Sequence, residues 1–306
     1  MKLVFFDDFK FGLLKDDRVV DLTEAVRDIN QPTPQDLLNG VIVGFQRTYR
    51  ARLEELSQRA QGVPLSQVRL RSPLPRPGKI VAMVANYLEN GALKEPRAIN
   101  AFLKSPESII GTGDTVVLPP AQAPVFHHEA ELGIVIGREA TSISAAQAYD
   151  HIFGYVNFID VSARGLHPNS FFWGKSWDTH GPCGPYLVTA DEVPDPQNLA
   201  IKLWVNATLR QDYNTSDMGH KIPRTVEWIT SVATLEPGDL IAGGTNHQGL
   251  GALQDGDQIE MEITGLGRLR VQVKDDLKRQ WPRGVDTALA DFISGRSTTP
   301  PAWIRR

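Results

Sequence analysis

A mainly β chain, α+β in class, with a smaller unit at its N-terminus is what the sequence predicts, and three observations predict it. From Lys79 to about Asp276, β-branched runs recur between Gly, Pro and Asp breaks. Only two stretches there, SAAQAYDHIFG and TVEWITSVATL, have helical character, too few for regular βαβ winding. A Pro-rich punctuation, SPLPRPG at 72–78, divides this region from a differently patterned start. The expected organisation is a small N-terminal α/β domain over 1–72, a linker over 73–78, a β-rich domain over 79–276 and an irregular tail over 277–306.

The elements follow in order. KLVFF, FGLLKDD and RVVDL alternate short apolar runs with turn residues, a pattern suited to a small sheet. VGFQRTYRARLEELSQRAQG places Phe45, Tyr49, Leu53 and Leu56 at spacings of three and four, as one helix face requires. Beyond the linker, KIVAMV, DTVVLP, AELGIVIG, LAIKLWVN, GDLIAGG, DQIEMEI and LRVQVKDD are the expected strands.

With 306 residues, 41% hydrophobic and 22% charged, the chain is long enough to bury a substantial core. A net charge of −4 argues against a nucleic-acid or anionic-membrane surface, both of which rest on excess Lys and Arg, and leaves a small molecule as the expected partner. Charged residues every few positions near the N-terminus do not fit a signal peptide, and no apolar run reaches membrane-spanning length, so a cytoplasmic location is expected. Cys183 is the only cysteine, which excludes an intrachain disulfide framework and a Cys-rich zinc site. Between Pro182 and Gly184 it is expected to be a small packed residue.

FHHEAELGIVIG, residues 126–137, carries the first chemical signal. Strand alternation sends Glu129, Glu131, Gly133 and Val135 one way and Ala130, Leu132, Ile134 and Ile136 the other. Two carboxylates roughly 7 Å apart along a strand either lie solvated on an exposed face or are neutralised by a divalent cation. Asp160, at the end of the strand-like HIFGYVNFID, offers a third carboxylate; it also suits a helix N-cap. An all-oxygen set of three suits Mg2+ or Mn2+.

The ordered series E-x-E-L-x-x-V-I-G (129–137), G-Y-x-x-x-x-D-V-S-A-R (154–164), G-K-S-x-D-T-x-x-P-x-G-P (174–185), L-E-P-G-D-L-I-x-x-G-T (235–245) and D-G-D-Q-I-E-x-E-I-x-G-L-G-x-L (255–269) resembles the fumarylacetoacetate hydrolase family. The resemblance spans about residues 79–275. It implies a mixed β-sandwich or β-roll core, a small N-terminal domain, a homodimer, and one Mg2+ or Mn2+ held by Glu129, Glu131 and Asp160. It also implies Lys175 as the family's lysine, Thr245 as a substrate contact, and Arg164 as the arginine that follows the aspartate. The implied activity is metal-dependent hydrolysis of a carbon–carbon bond in a 1,3-dicarbonyl or acylpyruvate-like 2-keto acid, through a stabilised enolate. Decarboxylation, isomerisation or hydration on the same site is the alternative, and a non-catalytic metal-binding member is the third reading.

Two departures bear on the chemistry. Family hydrolases carry an N-Y-x-D-H-x-x-E-like lid; here the segment is NYLENGALKEP, residues 86–96, with Asn90 at the histidine position and Leu93 at the glutamate position. Asparagine cannot take a proton from water at neutral pH, so another base is needed. Glu89 and Glu95 are nearby, and Tyr87 and Asn90 are retained as substrate contacts. His127, placed by alternation on the Glu129 side, is the expected replacement base or metal-site neighbour, and His128 points the other way. His167 stands where some members place a substrate-contacting glutamine. His220 and His247 also fall beside family motifs. The catalytic candidates are thus Lys175, His127 and Glu89, and the substrate-binding candidates are Arg164, Thr245, Tyr87, Asn90 and His167.

Overall fold

The computed structural model describes residues 1–305, the side chain of Arg305 excepted. Its largest element is an eleven-stranded sheet. Across that sheet run Val63–Pro64, Arg18–Asp21, Lys10–Lys15, Lys2–Phe6, Gly181–Thr189, Ile152–Ile159, Ala130–Ile136, Leu240–Ala242, Ile80–Met83 and Ala101–Lys104, with Ile109–Ile110 paired to Gly181–Thr189. A five-stranded sheet is ordered Thr208–Asn214, Ala200–Val205, Gln258–Ile263, Arg268–Lys274, Thr115–Val117. A two-stranded ribbon joins Val125–His127 to Ser162–Arg164.

Both faces of the central strand Ala130–Ile136 are buried. Ala130, Leu132, Ile134 and Ile136 pack with Ile201, Met261 and Leu269 of the five-stranded sheet, while Val135 packs with Leu38, Phe45 and Leu53 of the N-terminal helices. The alternation expected from sequence therefore separates two cores rather than a core from solvent. This is the mixed sheet-on-sheet architecture that the motifs implied, and among the described residues no helix is long and apolar enough to cross a membrane.

The three N-terminal strands form as expected. Lys2–Phe6 also pairs with Gly181–Thr189, so residues 1–72 and 79–276 share one sheet. Leu3 and Phe5 are almost wholly buried there. Between them the 73–78 segment is packed: Leu74 is fully buried and the Arg76 amide donates to Gln35 Oε1 at 3.0 Å. The first long helix starts at Pro34, earlier than the apolar spacing indicated, because Thr33 caps it by accepting from the Asp36 amide at 3.2 Å. It passes through a π turn at Phe45–Tyr49 before continuing as Arg50–Arg59. Ala145–His151 is a 3-10 helix, and Ile222–Val232 is the second expected helix.

The tail is a correction. Instead of being irregular over 277–306, it contains the helix Thr287–Ile293 and a 3-10 turn at Ala302–Arg305. Asp286 caps the helix by accepting from the Leu289 amide at 3.0 Å, and Leu289 and Ala290 are buried. Arg, Pro and Thr around this short apolar pattern hid it.

One buried amide bolts the two large sheets together. Asn157 Nδ2 donates to Gly184 O at 2.9 Å and is shared with Leu266 O and Gly267 O at 3.1 Å, and its Oδ1 accepts from the Ile263 amide at 3.0 Å. Asn157→Leu strands these buried partners and is expected to cost about 3–4 kcal/mol. Urea denaturation checks this; an unchanged midpoint would show that the sheets are held by packing alone.

Candidate metal centre

The site grows out of one antiparallel hairpin. Ala130 pairs with Ile159 and Glu131 with Phe158, and beyond the break at residues 128–129 and 160–161 His127 pairs with Ser162 in the same register. Glu129 and Asp160 therefore stand opposite each other where the ladder opens, and the Asp160 amide donates to Glu129 O at 2.9 Å. Two residues along, Glu131 lies on the same face. Its Oε2 accepts from the Gly244 amide at 2.9 Å. Gly244 has φ +85° and a Cβ there would come within 3.0 Å of Asn86 Cβ, so glycine is what lets this backbone approach.

Glu129, Glu131 and Asp160 are all buried and each presents an oxygen within 4.8 Å of the others. Lys175, the last residue of the helix Phe171–Lys175, donates to Glu129 Oε2 at 2.6 Å and Asp160 Oδ2 at 2.7 Å. Arg164 pairs with Glu129 Oε1 and donates to His127 Nδ1 at 3.3 Å. Lys104, which the sequence did not single out, is fully buried and reaches Asp160 Oδ1 at 2.9 Å and the Lys175 carbonyl.

These charges divide the carboxylates. Burial opposes ionisation of Glu129, but the positive charges of Lys175 and Arg164, with His247 behind them, outweigh it and hold its pKa well below the usual range. Glu131 has no ion pair among the described residues. Burial, then the facing charges of Asp160 and Glu129, push its pKa up. Burial also lowers the Lys104 pKa, whereas for Lys175 Asp160 and Glu129 overcome burial and raise it.

Three oxygen ligands of this kind fit a hard divalent ion. A further polar atom fits such a group: the buried Tyr87 hydroxyl has no hydrogen-bond partner among the described residues and lies close enough to Glu131 to feel its charge. Tyr87 packs edge-on against Tyr213, ring centroids 4.9 Å apart.

The lid residues meet the loop after Thr245. Glu89 is buried; its Oε1 lies 2.7 Å from His247 Nδ1 and its Oε2 accepts from the His247 amide at 2.9 Å and from Gln248 Nε2 at 3.0 Å. Burial would raise the Glu89 pKa, yet the hydrogen bond and charge of His247 outweigh it and hold it below the ordinary value. Glu89 and Asn90 both adopt left-handed backbone, φ +57°, a strained state for such residues. The strain is held by Asp217, whose carboxylate accepts from the Asn90 and Gly91 amides, and by Asn246 Nδ2, which donates to Asn90 Oδ1 at 3.1 Å. Glu95 is exposed.

His127 is fully buried, with Nδ1 toward Arg164 and Nε2 3.4 Å from Asp286; burial, the largest influence, pushes its pKa down to about 4. His128 turns away to Gln211, 3.0 Å from Nδ1. Thr245 Oγ1 accepts from Gln211 Nε2 at 2.8 Å. His167 is exposed and stacks beside Trp173, and His220 is tied to the Arg97 carbonyl at 2.8 Å. The structure thus gathers Lys175, Arg164 and the three acids, sets Glu89 with His247 beside them, and ties His220 to Asn86 and Arg97 instead.

The profile of the fumarylacetoacetate (FAA) hydrolase C-terminal domain matches residues 79–274. The chain belongs to the fumarylacetoacetate hydrolase family. Within that family it is 34% identical to a maleylpyruvate hydrolase of Aquipseudomonas alcaligenes over 291 residues, 90% of this chain and 99% of the relative. It is 34% identical to an oxaloacetate tautomerase of Bacillus subtilis over 285 residues, 85% of this chain and 94% of the relative. The crystal structure of maleylpyruvate hydrolase from Sphingobium sp. SYK-6, in complex with manganese(II) and pyruvate, superposes with a TM-score of 0.81 at 35% identity, covering 90% of this chain and 99% of that one. These family relatives are enzymes, and they do not share one reaction.

Proposed function

We propose that this protein is a divalent-metal-dependent hydrolase of acylpyruvate-like 2-keto acids, with Glu89 and His247 as its proton-transfer pair. The observation that carries the reading is the 2.7 Å contact between Glu89 and His247 beside the three-carboxylate cluster. It supplies a base, from the loop after Thr245, next to a lid that lacks the family's histidine and glutamate. Mg2+ or Mn2+ held by Glu129, Glu131 and Asp160 supplies a Lewis acid for the keto-acid oxygens.

The residues divide the remaining work. Glu89 fixes the imidazole through Nδ1, leaving Nε2, which makes no hydrogen bond among the described residues, to take a proton from water. Hydroxide adds to the acyl carbonyl, the bond to the adjacent methylene carbon breaks, and its electron pair passes into the pyruvate enolate. The imidazolium returns its proton to that carbon, giving a carboxylic acid and pyruvate. Lys175 and Arg164 bring positive charge to where the enolate and carboxylate lie. Asn90, fixed to Asn246, and Tyr87 hold the lid side. His127, whose Nδ1 accepts from Arg164 and whose Nε2 lies 3.4 Å from Asp286 without a hydrogen bond, positions Arg164 in this reading rather than acting on water.

The test is turnover of acetylpyruvate, benzoylpyruvate, maleylpyruvate and oxaloacetate with Mg2+ or Mn2+, followed by NMR. Metal-dependent release of pyruvate from an acylpyruvate is the expected result. Keto–enol interconversion of oxaloacetate with no pyruvate released from any acylpyruvate would replace hydrolysis with tautomerisation, and no turnover at all would remove the enzymatic reading.

A further inference from the structure

The segment after Lys274 lies outside the matched family domain, yet it packs against the site from two sides. On the lid side, Arg97 donates to the Ile293 carbonyl at 2.6 Å and Gln248 Nε2 to the Ala290 carbonyl at 3.2 Å, while Arg296 donates to Gln248 Oε1 at 2.6 Å. Gln248 is the same residue that donates to Glu89. On the opposite side, the Trp303 ring stands edge-on to His127, centroids 6.1 Å apart, and lies 5.9 Å from the Arg164 guanidinium carbon. Arg279, Trp281 and Asp286 anchor the intervening chain to Pro119, Pro124 and His127.

Beside Arg164 is a cavity of about 370 Å³. Arg164 and Lys175 give it a cationic wall, Leu166 and Phe171 an apolar one, and Trp303 and Ile304 close it from the tail. Its volume is at the small end for ligand sites. The cationic groups match the charged keto-acid end of a substrate, and a flat aromatic wall beside them matches a planar, unsaturated or aromatic acyl group.

We propose that the C-terminal segment is the specificity element of the site, and that Trp303 forms the wall that selects keto acids with a planar unsaturated or aromatic acyl group. This rests on the hydrolase reading for its substrate class. The tail, held outside the hydrogen-bonded sheets, sets what the cavity accepts, while the hairpin sets the chemistry.

The test uses the full chain loaded with Mn2+, as wild type, Trp303→Ala and Trp303→Phe. The ratio of kcat/KM for benzoylpyruvate to that for acetylpyruvate is expected to fall about tenfold in Trp303→Ala, mainly through KM, and to be largely restored in Trp303→Phe. Calorimetric binding of benzoylformate against pyruvate should show the same loss of preference without turnover, so this inference is read even if neither acylpyruvate is hydrolysed. An unchanged preference, or equal weakening of both ligands, would overturn it, the second by reducing Trp303 to a support for the fold.

Discussion

Glu131→Gln is expected to abolish metal-dependent turnover, by about a thousandfold or more, while making the metal-free protein more stable. Glu131 is buried opposite Glu129 and Asp160, where the charge of Lys175 and the Gly244 amide do not offset burial and the facing carboxylates, and glutamine keeps the amide bond without the charge. Its raised pKa means the folded state resists ionisation, so the destabilisation is absent at low pH and grows as pH rises above the ordinary glutamate value of 4.5. The variant should therefore gain about 1–2 kcal/mol at neutral pH, and that gain should vanish below about pH 4. Asp160→Asn is expected to lose turnover equally but in the opposite stability direction. It removes the carboxylate charge from buried Lys104 and from Lys175, a loss of about 3–5 kcal/mol. Thermal melts with and without Mn2+ separate the two. Glu131→Gln that melts no higher than wild type in chelator, or that still binds Mn2+ tightly by calorimetry, would remove Glu131 from the ligand set.

The proton-transfer pair predicts a different pattern. His247→Ala should lower kcat by about 10²–10⁴-fold, and Glu89→Gln by a smaller factor, with Mn2+ affinity kept in both. Because Glu89 acts through the imidazole, the double variant should be no slower than His247→Ala alone. If the two losses multiply, the residues act separately. A kcat loss in His127→Ala that matches His247→Ala, with the same change in pH profile, would return the base to His127.

Much of the three-carboxylate cluster was legible because strand alternation is a local property of sequence and the acids sit in short motifs. Glu129, Glu131 and Asp160 sit in short motifs whose spacing sets the geometry. Glu89 with His247 was not legible as a pair, since 158 positions separate them. The polar run Asn246–His247–Gln248 after Gly243–Gly244–Thr245 was the available sign. Lys104 gave none: a lysine ending a four-residue strand resembles a surface residue, and only the fold shows it wholly buried against Asp160. The tail was missed because its helix is one short apolar pattern, stabilised by packing on the lid rather than by propensity.

The shared register of the opened hairpin also decides which lengths of chain can change. Inserting or deleting one residue between His127 and Glu131 would slide Ala130 or Leu132 into the acidic pocket, and one between Val156 and Asp160 would turn Asp160 away from Glu129. Such changes should be absent wherever the chemistry persists. Residues 86–96 and the chain after Lys274 lie outside this ladder, so length changes confined to them leave Glu129 and Asp160 opposed.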